Sequence, residues 1–139
     1  MAYSANDSLG YSYLCAMRKW FFILVLLLSC QDNEADAPDL TTAEAQQIAN
    51  NGAVMGCEIK EVGPARPINY GFLWDTQANV SIVAAANKYI AGSTSSPRTF
   101  SIQLNNLTAA TKYYYRGFAA NADYSKIYYS NVVTFTTLP

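Results

Sequence analysis

The segment Leu107-Thr-Ala-Ala-Thr-Lys-Tyr-Tyr-Tyr-Arg-Gly-Phe-Ala-Ala-Asn121 decides the fold of this chain. Its aromatic and small residues, with no proline, predict a strand from Lys112 to Asn121. Because side chains alternate along a strand, a Tyr113 that points into the core predicts two sets of residues. The inward set is Tyr113, Tyr115, Gly117 and Ala119, and the outward set is Tyr114, Arg116 and Phe118.

Similar short pieces precede and follow this segment, and the turn formers Gly, Pro, Asn and Ser separate them. The other predicted strands are Leu40 to Ile48, Ala53 to Lys60, Ile68 to Asp75, Lys88 to Ala91, Thr99 to Leu104 and Ile127 to Thr137. Ala78 to Asn87 fits this pattern least well, and its Ser81 to Ala86 part is also compatible with a short helical turn. About seven strands in roughly 100 residues predict one all-β, antiparallel sandwich.

The spacing of Leu107, Thr111 and Tyr113 resembles the tyrosine corner of fibronectin type III domains, which are immunoglobulin-like sandwiches. The resemblance covers most of residues 41–138 and implies that the Tyr113 hydroxyl bonds to the backbone a few residues upstream. The family usually has Pro-Gly in this corner, whereas this chain has Ala109-Ala110.

Three further pieces resemble strands of the same family and predict the rest of the core. They are Ala53-Val-Met-Gly56, Tyr70-Gly-Phe-Leu-Trp-Asp75 and Tyr129-Ser-Asn-Val-Val-Thr-Phe-Thr-Thr137. The predicted core residues are Phe72, Trp74, Tyr129, Val133 and Phe135, with Cys57 as a small buried hydrophobe, whereas Tyr128 and Val132 are predicted to face outward.

The amino-terminal part has the order of a secretory signal. Two positive charges in Met17-Arg-Lys-Trp20 precede the apolar run from Phe21 to Leu28, which is too short to span a membrane. Leu27-Leu-Ser-Cys30 resembles a lipobox, which implies cleavage before Cys30 and a lipid on its thiol. Residues 1–16 have no role in this scheme, and Met17 begins a complete leader by itself.

We therefore expect a signal peptide over 1–29, a lipidated Cys30 with an acidic tether over 30–40, and the sandwich over 41–139. Residues 31–48 contain five acidic residues and no Lys or Arg, so the first part of this stretch is expected to be a solvated tether. The acids after Cys30 either resemble the signal by which some Gram-negative bacteria export lipoproteins to the outer face of the outer membrane, or only keep a linker soluble. The expected location is the outer membrane, lipid-anchored and exposed at the cell surface.

Composition restricts the chemistry of the chain. There is no histidine, so Ser-His-Asp and Cys-His catalysis are excluded. Cys15, Cys30 and Cys57 have unrelated spacings that predict neither a disulfide framework nor a metal site. The seven Lys and Arg after residue 48 are too scattered for a nucleic-acid surface. We predict no enzyme, no metal and no cofactor other than the covalent lipid.

The outward aromatic residues predict a binding or adhesion surface for a protein or a glycan. Its candidate residues are Tyr114, Arg116, Phe118, Tyr124 and Tyr128. Two alternatives stay open: these residues are strand formers covered by a neighbouring loop, or the domain is a passive spacer or accessory subunit of a surface glycan-uptake assembly.

Overall fold

The computed structural model describes residues 37–139, and all regular elements in this range are strands. Their bounds are β1 Asp39–Thr42, β2 Ala53–Glu61, β3 Ile68–Asp75, β4 Asn87–Thr94, β5 Arg98–Leu104, β6 Lys112–Ala120, β7 Ile127–Tyr129 and β8 Val133–Thr136. The predicted signal peptide, the lipidated Cys30 and most of the tether lie outside the described residues. Within residues 37–139 there is no helix long and apolar enough to cross a membrane.

The strands form two antiparallel sheets. A three-stranded sheet has the order β1-β2-β5, and a five-stranded sheet has the order β4-β3-β6-β7, with β8 on β6 as well. β7 pairs with the end of β6 and β8 with its beginning, so the two share one edge of that strand. The predicted all-β sandwich is therefore confirmed, with eight strands instead of about seven.

The core lies between the sheets and follows the alternation that the sequence predicts for β6. Tyr115 and Ala119 are fully buried, and Tyr113 is nearly so. Phe72 from β3 and Phe100 from β5 meet with ring centroids 4.7 Å apart, while Trp74 is only partly buried against the same cluster. Aromatic residues of this size account for much of the apolar area that the fold buries.

The predicted last strand is interrupted at residues 130–132, and this break reverses part of the predicted pattern. Tyr128 is opposite the inward-facing Ala119, and it packs against the main core. Tyr129 is opposite Phe118 and lies on the outer face of the five-stranded sheet. The predictions of an outward Tyr128 and an inward Tyr129 are therefore wrong, because an interrupted strand does not keep one phase of alternation. Val132 is exposed and Val133 buried, as predicted.

The predicted first strand, Leu40 to Ile48, is also shorter than expected. Regular pairing ends at Thr42, and Gln46 forms only an isolated bridge with Val54. The segment stays beside β2, since the Ala43 amide donates to the Gly56 carbonyl at 2.9 Å and Gln46 exchanges two hydrogen bonds with Val54. The Ala43 carbonyl accepts a hydrogen bond from the Tyr115 hydroxyl of β6, across the core. Gln47 then adopts a positive φ of 48°, which ends the extended backbone, so Ile48 cannot belong to the strand.

A second, smaller apolar cluster covers the outer face of the five-stranded sheet. The β3–β4 connection contributes Val80 and Ala85, which pack over Leu73 and Phe118. One helical turn shapes this connection, since the Ala85 amide donates to the carbonyl of Ser81 at 2.8 Å. The loop that the sequence left ambiguous is therefore an ordered cover over part of the sheet.

Candidate functional site

The structure separates the five predicted binding residues. Phe118 is completely buried under the β3–β4 connection, so its prediction as a binding residue is wrong. Tyr128 lies on the inner face and packs against the main core, so it does not share a surface with the outward residues. Tyr124 has a positive φ of 58° in the β6–β7 turn and packs against the second cluster. Tyr114 and Arg116 remain partly accessible on the outer face.

Arg116 is the central residue of this accessible part of the outer face. Its guanidinium lies over the ring of Tyr129, with Cζ 3.9 Å from the ring centroid. Burial lowers the pKa of this guanidinium, which nevertheless stays protonated at neutral pH. Its Nε is buried and has no hydrogen-bond partner. Stacking on Tyr129 holds the planar group in one orientation, as cation–π contacts do.

A second cation on the same strand repeats this arrangement. Lys112 places its Nζ 5.0 Å from the centroid of the Tyr114 ring. Lys112 and Arg116 are four residues apart on β6, so they share its outer face at a spacing of about 13 Å. We call Lys112, Tyr114, Arg116 and Tyr129 the cationic face.

The β3–β4 connection borders the cationic face. The Ile82 amide donates to the Tyr129 hydroxyl at 3.0 Å, and Lys88 Nζ donates to the Ile82 carbonyl at 3.3 Å. The next residue, Val83, is 92% exposed. The connection thus fixes Tyr129 and carries an apolar tip next to the cations.

The carboxylate of Asp75, which also belongs to this side of the sheet, is occupied by backbone amides. Its oxygens accept hydrogen bonds from Ala86 at 2.7 Å and from Gln77 at 3.1 Å. These bonds hold the pKa of Asp75 below its ordinary value, with the Ala86 amide as the largest cause. The carboxylate therefore holds the connection in place, and its one negative charge is outnumbered by the cations of Lys88, Lys112 and Arg116.

The sequence prediction missed Lys112, Tyr129 and Val83. Lys112 follows from the alternation already assigned to β6, because it lies two residues before Tyr114. Tyr129 is on this face only because of the break before β8. Val83 belongs to a connection without strand alternation, so no local pattern indicates its exposure.

Tyr113 has the geometry of a tyrosine corner. Its hydroxyl accepts a hydrogen bond from the Thr108 amide at 3.0 Å, five residues upstream. Ala110, where the family usually has glycine, adopts a positive φ of 49°. The corner thus forms without its usual turn residues. Cys57 is a buried free thiol, and residues 37–139 contain no group of three or more His, Cys, Asp or Glu that could hold a metal ion.

Comparison with known proteins gives a likeness of fold. No family model and no curated protein matches the chain. The sensor domain of the anti-sigma factor RsgI4 from Pseudobacteroides cellulosolvens is similar with a TM-score of 0.54 and 18% identity, over 73% of this chain and 94% of that domain. PhoD is similar with a TM-score of 0.50 and 13% identity, over 71% of this chain but 19% of PhoD.

A human fibronectin type III domain is similar with a TM-score of 0.48 and 17% identity, over 72% of this chain and 84% of that domain. The arrangement of strands and the Tyr113 corner define this chain as an all-β sandwich with a fibronectin type III-like fold.

Proposed function

We propose that this protein is a surface-anchored lipoprotein whose sandwich is a non-enzymatic binding module, and that the cationic face contacts the partner. The observation that carries the proposal is Arg116, whose guanidinium lies over the Tyr129 ring on the outer face and is only partly buried. An orientated guanidinium can form two parallel hydrogen bonds to a carboxylate. Arginine and tyrosine are also the residues that most often dominate binding energy at interfaces.

The fold is consistent with this role. The RsgI4 domain, a sensor in its own protein, has a similar sandwich. An antiparallel sheet can carry recognition residues on its outer face while its inner face forms the core. In this chain the two roles are divided within β6, where Tyr113 and Tyr115 face inward and Tyr114 and Arg116 face outward.

The anchor part of the proposal depends on Cys30 and the leader that precedes it. Diacylglycerol on the thiol adds roughly 0.8 kcal/mol of membrane affinity per buried methylene, so the anchored protein should not dissociate. Intact mass spectrometry of membrane-purified protein should give residues 30–139 plus acyl groups. Cys30→Ala should move the protein out of the detergent phase or stall its processing. Unchanged partitioning of Cys30→Ala would contradict the anchor.

The binding part can be tested on cells that produce the protein. A photo-crosslinking amino acid at Thr134, an exposed residue that pairs with Tyr114, reports on the cationic face. The matched control places it at Ser101, which is exposed on the three-stranded sheet. We expect a discrete adduct from position 134 and none from position 101. No adduct from position 134 would favour a passive spacer.

A further inference from the structure

The proposed function leaves the class of partner open between a glycan and a protein, and the geometry of the cationic face favours one of them. A sugar bound by an aromatic residue lies flat on an open ring face. On this surface each tyrosine ring is already covered on one face by a cation of the chain itself. Lys112 lies over Tyr114, and Arg116 lies over Tyr129 at 3.9 Å.

Charge is the first property that the partner must match. Three cations lie on this side of the sheet: Lys88, Lys112 and Arg116. Leu73 of β3 is paired with Lys88 on β4 and with Arg116 on β6, so both cations share its face. The Asp75 carboxylate, which accepts hydrogen bonds from two backbone amides, offsets only one of these three charges. A partner rich in carboxylates is therefore complementary to this surface.

Apolar contact is the second property. Val83 is 92% exposed at the tip of the β3–β4 connection, and Val132 is 42% exposed between β7 and β8. Both valines lie near Arg116. Val83 follows Ile82, whose amide bonds the Tyr129 hydroxyl, and Val132 precedes Val133, which pairs with the neighbour of Arg116, Tyr115. Apolar side chains beside arginine and tyrosine are typical of protein interfaces, in which an apolar patch is desolvated next to charged hydrogen bonds.

We infer that the occupant of the cationic face is an acidic protein surface that inserts carboxylates at Arg116 and Lys112 and covers Val83. This inference rests on the proposed function and adds the class of partner. Arg116 gives orientation through its fork, Lys112 adds a second charge about 13 Å away along β6, and Val83 gives the apolar contact.

The test uses the full chain purified from cells and three defined polymers. A copolymer of glutamate and tyrosine represents an acidic and apolar protein surface, polyglutamate represents charge alone, and polygalacturonate represents an acidic glycan. We expect the copolymer to bind most tightly, with affinity that falls as salt rises. Arg116→Ala should weaken copolymer binding about tenfold, and Val83→Ser should weaken binding of the copolymer but not of polyglutamate.

Arg98→Ala is the matched control. Arg98 also lies over a tyrosine ring, with its Cζ 5.2 Å from the centroid of Tyr70, but it does not belong to the cationic face. It should leave binding unchanged, and thermal melting of each variant identifies loss of folding. Binding of polygalacturonate as tight as that of the copolymer, equal loss in Arg98→Ala, or no binding of the copolymer would overturn the inference. A crosslinked adduct at position 134 together with any of these results would leave the proposed function standing without the acidic protein partner.

Discussion

The side-chain amide of Asn131 hydrogen-bonds both backbone polar groups of Thr42. The Thr42 amide donates to Asn131 Oδ1 at 2.8 Å, and Asn131 Nδ2 donates to the Thr42 carbonyl at 3.2 Å. Asn131 lies in the interruption between β7 and β8, where its own backbone leaves the ladder of β6. Its side chain thus does what a neighbouring strand would do, and ties β1 of one sheet to the edge of the other.

Asn131→Ala should lower the free energy of unfolding by about 2 kcal/mol, because it removes the hydrogen bonds that Asn131 makes to the backbone amide and carbonyl of the nearly buried Thr42. Urea denaturation measures this loss. Asn105→Ala, in an exposed turn, is the control and should change stability by less than about 0.5 kcal/mol. Equal stability of the two variants would show that the amide does not join the sheets.

Replacing tyrosine by phenylalanine should lower the free energy of unfolding by different amounts at Tyr113 and Tyr115. Tyr113→Phe removes the bond to the Thr108 amide, which solvent can reach, and should cost about 1 kcal/mol. Tyr115→Phe removes the bond to the Ala43 carbonyl from a fully buried ring and should cost about 2 kcal/mol. Thermal denaturation ranks the two, with Tyr89→Phe on the exposed edge strand as a control. The reverse order would mean that the corner, rather than the sheet-to-sheet bond, dominates.

Gly117 is required by the side chain opposite it. A Cβ at this position would lie inside contact distance of Cys57 Sγ, and 3.2 Å from Cys57 Cβ. Gly117→Ala should therefore destabilise the fold by about 1 to 3 kcal/mol through overpacking. Cys57→Ala in the same chain should recover part of the loss, and a double-mutant cycle gives the coupling energy. Additive losses would place the strain at another contact.

Cys57 should also make stability depend on alkaline pH. Burial is the main reason that its pKa rises from 9.0 to about 11, so the folded protein holds the thiol proton more tightly than the unfolded chain. The stabilisation from this group is complete below pH 9 and is lost as pH rises toward 11, with a loss of about 2 kcal/mol by pH 10.5.

Cys57→Ser removes this titration and is the comparison for the pH series. The difference in unfolding free energy between the native protein and the variant should shrink from pH 8 to pH 10.5, while titration of the tyrosines cancels. A constant difference would mean that the thiolate is tolerated in the folded state.

Strands in which inward and outward side chains alternate regularly could be predicted from the sequence. β6 is the clearest case, since Tyr113, Tyr115 and Ala119 are buried as the period of two requires. It could not place Tyr128 and Tyr129, because the break that reverses them depends on Asn131 contacting Thr42, 89 residues away in the chain. Local patterns do not contain contacts of this kind.

Phe118 illustrates the other limit. Its outward direction on β6 follows from the alternation, and Tyr129 opposite it is also on the outer face. Its burial depends on Val80 and Ala85 of the β3–β4 connection, which have no strand periodicity. The direction of a side chain is a property of its strand, whereas its exposure depends on what a distant segment covers.

Asp75 holds that covering segment, and its substitution should expose the outer face. Asp75→Asn keeps the shape but leaves one acceptor oxygen for the amides of Ala86 and Gln77, so the connection should open more often. Hydrogen exchange at neutral pH should become faster over residues 76–86 and stay slow in β6. Because the pKa of Asp75 is lowered, its stabilising effect in the native protein is present above the ordinary value of 3.8 and is lost as pH falls below it.

Asp123→Asn, which alters similar bonds to Ser125 in the β6–β7 turn, is the control and should leave exchange over residues 76–86 unchanged. Slow exchange in both variants would mean that the apolar contacts of Val80 and Ala85 hold the connection without the carboxylate.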